Sequence, residues 1–128
     1  MRLLLDTHAL VWWLEGTRKL PYRVAQIVAD PGNLVLVSAA SAWEIATKFR
    51  LGKLPSVALI VPDIEGHVRA EGFQPLAVTL RHAQQAGALP GPHRDPFDRM
   101  LIAQALEEGC TLLSNDAVFD RYGVPRSW

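Results

Sequence analysis

The sequence of 128 residues contains a single cysteine, Cys110, so it offers no internal disulfide bond and no paired-cysteine metal or redox site. It also lacks a long apolar run, because charged residues or glycine interrupt the apolar stretches near the N-terminus after a few residues. This excludes the apolar core of a secretory signal and a membrane-spanning helix. We therefore expect a soluble protein of the cytoplasm that does not associate with membranes.

An excess of charge of either sign is missing as well. Thirteen Lys and Arg residues offset thirteen Asp and Glu residues, which gives a formal net charge of zero. This balance argues against a domain that holds nucleic acid by bulk positive charge, although basic side chains can still be concentrated locally. A net charge near zero is also compatible with self-association.

The glycine and serine motifs of common nucleotide sites and hydrolases are absent. The sequence has no Gly-x-Gly-x-x-Gly or Gly-x-x-x-x-Gly-Lys-Ser run to hold a dinucleotide or ATP, and no Gly-x-Ser-x-Gly turn of a serine hydrolase. The four histidines are not spaced in the pairs that zinc sites use. They are His8, His67, His82 and His93.

What is present is the composition of one globular domain. Hydrophobic residues make up 49% of the chain and charged residues 20%, which is enough to bury a core and argues against disorder. The length is that of a single domain, and we expect residues 1–128 to form it.

Short apolar runs alternate with helical patterns along the chain. The runs at 3–5, 34–37 and 111–113 are apolar throughout, as in strands that are buried on both faces of a parallel sheet. A fourth run, 73–78, contains Pro75 and is predicted to be an edge strand. We expect a three-layer α/β/α domain with a central, mainly parallel sheet of four to five short strands.

Four acidic residues are predicted to meet at one end of this sheet. Asp6 ends the first strand, and Asp116 lies just beyond the strand at 111–113. Glu44 falls in the first turns of the helix after the second strand, and Asp98 lies near the start of the helix that begins at Asp95. Ligands of open α/β sheets bind outside the carboxyl ends of the strands, which is where these acids are expected.

Carboxylates that converge in this way need a counter-charge, because their mutual repulsion is large. A hard divalent cation, Mg²⁺ or Mn²⁺, supplies that charge and prefers oxygen ligands. Such a centre can activate water for attack on a phosphodiester and stabilise the departing oxygen. The pattern therefore indicates metal-dependent phosphoryl transfer without a protein nucleophile.

Each acid also has a structural interpretation. Glu44 has the capping-box spacing to Ser41 and the i,i+4 ion-pair spacing to Lys48. Asp95 before Pro96 is typical of a helix N-cap, which would leave Asp98 as a favourable charge in the first turn.

Asp116 and Asp120 are equally consistent with capping and decorating a last short helix. Asp6 has the strongest functional interpretation, because an unpaired charge at the end of a buried strand costs several kcal/mol. His8 follows two residues later and suits either a substrate contact or the exposed start of a helix.

Basic and aromatic side chains lie near these acids in the sequence. Arg94 and Arg99 flank Asp98 and would frame a phosphate or simply form a solvated helix face. Trp12 and Trp13 exceed what one helix needs for a core. We expect one to pack inside and the other to contact a partner protein or stack on a base.

Four ordered motifs then carry a family resemblance over nearly the whole chain. They are Leu-Leu-Asp-Thr-His-Ala-Leu-Val-Trp-Trp at 4–13, Ser-Ala-Trp-Glu-Ile at 41–45, Asp-Pro-Phe-Asp-Arg-Met-Leu-Ile-Ala at 95–103 and Leu-Leu-Ser-Asn-Asp at 112–116. Together they resemble the PIN-domain ribonucleases, and within them the VapC-type toxins of prokaryotic toxin-antitoxin pairs.

The resemblance implies a metal-dependent endoribonuclease that forms a homodimer and is inhibited by a cognate antitoxin. It places the ligands of Mg²⁺ or Mn²⁺ at Asp6, Glu44, Asp98 and Asp116. Thr7 and Ser114 would be the small hydroxyl residues beside these acids, and Asp120 an auxiliary acid. The polar C-terminal segment departs from the more apolar last strand that the resemblance implies, so a fully formed fifth strand is not expected.

Two other interpretations remain at this point. A haloacid-dehalogenase-like phosphatase also begins with an apolar strand that ends in Asp, but its chemistry needs an acid two residues later, where this chain has His8. The other is a non-catalytic binding module in which the acids serve only as caps and ion-pair partners.

Overall fold

Five short parallel strands form one central sheet in the computed structural model, which describes residues 1–128. The strands are β1 (Arg2–Leu5), β2 (Leu34–Ser38), β3 (Gln74–Leu76), β4 (Thr111–Leu113) and β5 (Arg126–Ser127). Their spatial order is β3-β2-β1-β4-β5, and every neighbouring pair is parallel. The predicted α/β class and parallel sheet are confirmed.

Helices connect the strands and supply the outer layers. They are α1 (Thr7–Glu15), α2 (Tyr22–Ala29), α3 (Ala39–Arg50), α4 (Ile64–Ala70), α5 (Leu80–Ala88) and α6 (Pro96–Glu108). Short 3₁₀ helices occur at Pro55–Val57, Val61–Asp63 and Ala117–Tyr122. None of the helices has the length and apolar character that crossing a membrane requires.

The period of two residues in a strand divides the apolar core into two clusters. Leu3 and Leu5 of β1 pack with residues of α1 to α4 in one cluster. Leu4, between them, packs with Leu101 and Ile102 of α6 in the other cluster. Both faces of the sheet are therefore buried, which is why its central strands are continuous apolar runs.

The edges of the sheet differ from its centre. Strand β3 is an edge strand that contains Pro75, as predicted, but it is only three residues long. Strand β5 forms in spite of its polar sequence, with Arg126 opposite Leu112 and Ser127 opposite Leu113. It has only two residues and, as an edge strand, pairs along one side alone.

Candidate functional site

A pocket of about 380 Å³ lies beyond the carboxyl ends of β1 and β4, and all four predicted acids line it. Asp6 reaches it from the end of β1, Glu44 from α3, Asp98 from the first turn of α6 and Asp116 from the segment after β4. The other lining residues are Thr7, His8, Trp12, Lys48, Asp95, Asn115 and Phe119. The structure thus brings together residues that are distant in the sequence.

Asp6 is buried and serves as the N-cap of α1. Its Oδ1 accepts a hydrogen bond of 2.7 Å from the backbone N–H of Ala9. Burial raises the pKa of the Asp6 carboxyl, and the hydrogen bonds from Ser114 and Ala9 oppose that increase. The sequence interpretation missed this cap, which offsets part of the cost of burying the charge.

Glu44 is buried and has protein partners at both carboxylate oxygens. Its Oε1 accepts a hydrogen bond of 2.6 Å from Thr7 Oγ1, and its Oε2 forms an ion pair with Lys48 Nζ. The predicted i,i+4 pair with Lys48 is confirmed. The capping box is wrong, because Ser38 caps α3 and the buried Ser41 instead accepts from Thr7 Oγ1 at 3.1 Å.

Asp98 is half-buried at the start of α6, where Asp95 is the N-cap as predicted. Burial and the nearby charges of Asp95 and Glu44 raise the pKa of the Asp98 carboxyl to about 6. His93 opposes this shift through a hydrogen bond of 2.8 Å from its Nε2 to Asp98 Oδ2. The sequence carried no signal for His93, which lies in an irregular loop.

Asp116 and Asp120 have different surroundings. Asp116 is exposed at the pocket rim, and its Oδ1 caps the final 3₁₀ helix at the N–H of Val118. Asp120 does not line the pocket and instead pairs with Arg126 at 2.8 Å, which lowers the pKa of the Asp120 carboxyl. Asp116 therefore fulfils its predicted cap while facing the pocket.

Lys48 is the single Lys or Arg side chain among the residues that line the pocket. Arg99, predicted to frame a phosphate or lie on a solvated face, does neither. Its guanidinium donates to the backbone carbonyls of Ala86, Leu89 and His93 and so holds the loop before α6 in place. Arg94 is exposed and does not line the pocket.

The two adjacent tryptophans are both partly buried against the same core cluster, so neither packs fully inside as predicted, but their other contacts differ. Trp13 packs against Phe73 with ring centroids 5.8 Å apart, and its Nε1 donates to Glu71. Trp12 lies at the rim of the acidic pocket, between His8 and Trp128.

The chemistry of this pocket suits a hard divalent cation. Asp6, Glu44 and Asp98 are oxygen donors in a confined space with one ammonium group, and Glu44 raises the pKa of both aspartates. No three acidic, histidine or cysteine side chains form a closed ligand set as they stand. Each carboxylate is instead turned towards a protein donor, namely Ala9, Lys48 or His93.

Comparison with protein families identifies the fold and the motifs together. The PIN domain model matches residues 3–125. The chain belongs to the PIN-domain family. This confirms the resemblance carried by the four motifs and favours it over the phosphatase interpretation.

This PIN-domain chain is similar to two curated ribonucleases of Mycobacterium tuberculosis (strain ATCC 25618 / H37Rv). It is 29% identical to Ribonuclease VapC22 over an alignment of 129 positions, which covers 96% of this chain and 93% of the relative. It is 42% identical to Ribonuclease VapC16 over 66 residues, which cover 52% of this chain and 47% of that relative.

Solved structures share the fold of this PIN-domain chain at low sequence identity. VapBC2 from Rickettsia felis, bound to a DNA fragment from its promoter, gives a TM-score of 0.74 at 17% identity, with 99% of this chain and 98% of that chain covered. FitAB bound to the IR36 DNA fragment gives a TM-score of 0.67 at 17% identity, with 98% of this chain and 93% of that chain covered.

Proposed function

We propose that this PIN-domain protein is a metal-dependent endoribonuclease and the toxin of a prokaryotic toxin-antitoxin system, with residues 1–128 acting as one nuclease domain in the cytoplasm. The relative that this chain matches over 93% of its length is named Ribonuclease VapC22, which supports the activity. The observation that carries the proposal is the convergence of four acids from four segments in one pocket with a single cationic side chain.

In this proposal Asp6, Glu44, Asp98 and Asp116 hold Mg²⁺ or Mn²⁺. When bound, the cation would supply the positive charge that polarises a phosphodiester and lowers the pKa of water for hydrolysis. Asp6 and Glu44 are buried, so their oxygens have few positions available, whereas Asp116 at the rim leaves room for substrate.

Neighbouring side chains would position these acids. Thr7 and Lys48 hold the two oxygens of Glu44, and His93 holds one oxygen of Asp98. Lys48 is about one-third exposed and can turn towards the phosphate of a bound substrate, where its charge opposes the repulsion from the acids.

Cleavage of purified cellular RNA in Mg²⁺ tests the proposal. We expect Asp98→Asn to lower the cleavage rate by about 100-fold or more, since loss of a group that only supports a metal site already costs about 10–100-fold. Asp63→Asn is the matched control, because Asp63 is an exposed N-cap of α4 outside the pocket and Asn retains capping ability. Equal cleavage by the wild type and Asp98→Asn would refute the proposal.

Binding of Mn²⁺ by calorimetry gives a second readout that does not depend on turnover. Asp6→Asn and Asp98→Asn should each weaken the binding, and Asp63→Asn should leave it unchanged. Undiminished binding in both pocket variants would show that these acids do not share an ion.

A cognate antitoxin and a second copy of the chain are the proposed protein partners. Trp43, Phe97 and Met100 line an apolar cavity of about 440 Å³, and Trp43 is about two-thirds exposed. The VapBC and FitAB structures, which share the fold of this chain, are toxin-antitoxin complexes, and this supports an antitoxin partner. Size-exclusion chromatography with light scattering, with and without the antitoxin, tests both assemblies.

A further inference from the structure

A row of three aromatic rings begins at one side of the acidic pocket. His8 and Trp12 lie one turn apart on α1, and both line the pocket. Their rings are stacked, with centroids 5.7 Å apart and planes 28° from parallel. Trp128 continues the row behind Trp12, with centroids 5.9 Å apart.

Packing against the core accounts for the inner part of this row but not for its outer end. Trp12 and Trp128 are partly buried and pack against the core, as Trp13 does beside Phe73. His8, at the outer end of the row, is exposed. His8 therefore adds an aromatic plane at the mouth of the pocket and not in the interior.

The position of the row beside the acids points to its ligand. In a nucleic acid strand, each phosphate carries a base at the distance of one sugar, so a site that holds a phosphate at the acids has a base beside it. Aromatic side chains bind unpaired bases by stacking on their faces, with little dependence on base identity. The face of a base inside a duplex is covered by its neighbours and is not available.

We propose that His8 and Trp12 form a stacking site for an unpaired nucleobase adjacent to the scissile phosphate. This inference rests on the proposed nuclease function and adds two residues that position its substrate. Trp128 contacts the Trp12 ring with the two planes tilted by 59°, and this contact helps to hold Trp12 in place.

The experiment uses a short fluorescent oligoribonucleotide whose cleavage position is mapped first. Its kcat/KM is measured for the wild type, His8→Ala, His8→Phe, Trp12→Leu and Trp12→Phe. We expect His8→Ala and Trp12→Leu to lower kcat/KM by about 5- to 150-fold, mostly through KM, which is the range for loss of one stacked base. The two Phe variants keep a ring and should stay close to the wild type.

Replacing one nucleotide at a time by an abasic residue locates the stacked base. At the stacked position the abasic substrate should be cleaved more slowly by the wild type, and Trp12→Leu should then cause little further loss. Tyr22→Leu is the matched control, because Tyr22 is an exposed aromatic residue of α2 outside the pocket. If Trp12→Leu does not fold, the exposed His8 carries the test.

Fluorescence anisotropy of the same oligoribonucleotide in Ca²⁺, which also prefers oxygen ligands, reads binding without requiring cleavage. This separates the two proposals: absence of cleavage by the wild type refutes the nuclease function, whereas weaker binding by His8→Ala and Trp12→Leu still supports the stacking site. Three results would overturn the stacking site. The first is wild-type RNA affinity in both variants, and the second is an equal loss of kcat/KM by the variants on the intact substrate and on every abasic substrate. The third is binding of a blunt RNA duplex as tightly as the single strand. If the antitoxin blocks the row while the variants leave RNA binding and cleavage unchanged, the row belongs to the protein partner, and the proposal is also overturned.

Discussion

The acidic pocket and the polar network around His82 both contain buried polar side chains, but they differ in charge and in closure. His82 Nδ1 accepts from the backbone N–H of Thr79, so its Nε2 carries a proton and donates to Glu108 at 2.9 Å. Gln104 bonds the Ser38 hydroxyl with its oxygen and the Ala77 carbonyl with its nitrogen. This network joins β2, α5 and α6 entirely through protein partners.

The acidic pocket contains a surplus of negative charge that its own donors do not balance. It has the acids Asp6, Glu44, Asp95, Asp98 and Asp116 around one lysine, and it opens to solvent. The raised pKa values of Asp6 and Asp98 show that the fold holds these carboxylates in an unfavourable environment. A closed polar network thus serves stability, whereas an open one with unbalanced charge is suited to binding a cation.

The largest change in stability is expected from removing His82 from the closed network. His82→Ala should lower the free energy of unfolding by about 2–4 kcal/mol, because it leaves a cavity and removes the partner of Thr79 and Glu108. Urea denaturation measures this loss. His67→Ala, on the exposed face of α4, is the control and should change stability by less than about 0.5 kcal/mol. Similar small losses in both variants would show that the network contributes little.

An intermediate change in stability is expected when the pH is varied. The pKa of Asp98 is about 6 in the folded protein and near 3.8 when unfolded, so the folded state binds more protons between these values. The free energy of unfolding should therefore fall as pH rises from about 4 to about 6, by on the order of 2 kcal/mol from this group. Urea denaturation at several pH values, in chelator, measures the slope. Asp98→Asn should show a shallower slope, and an unchanged slope would contradict the assignment.

The smallest effect is expected at Asp6. Asp6→Asn removes a buried charge and retains an amide oxygen that can accept from Ala9, so it should raise the stability of the metal-free protein by about 1 kcal/mol. Thermal melting in excess chelator measures the change, and Asp63→Asn controls for the same substitution at an exposed cap. A lower melting temperature for Asp6→Asn would mean that its charge is structural.

Features governed by local chemistry could be predicted from the sequence. Apolar runs indicated β1, β2 and β4, Pro75 indicated an edge strand, and Asp95 before Pro96 indicated the start of α6. The Glu44–Lys48 pair was also predictable, because i,i+4 residues are neighbours on any helix.

Features that depend on contacts between distant segments could not be predicted. His93 reaches Asp98 from a loop without a pattern, and that loop is held by Arg99, which the sequence suggested for a phosphate or a solvated face. The capping box at Ser41 was wrong because α3 begins three residues earlier, at the end of β2, and Ser41 faces Thr7 instead.

By itself the sequence determined the parallel α/β class and which carboxylates lie at the ends of strands and the starts of helices, because these depend on residue period and local hydrogen bonding. The four motifs that resemble the PIN-domain family are also read from the sequence, by their order and separation. Only the tertiary structure decided which groups share one pocket, which oxygen of each acid is occupied, and which tryptophan of an adjacent pair faces the acids. Burial and long-range charge set these features, and both arise only when distant segments pack together.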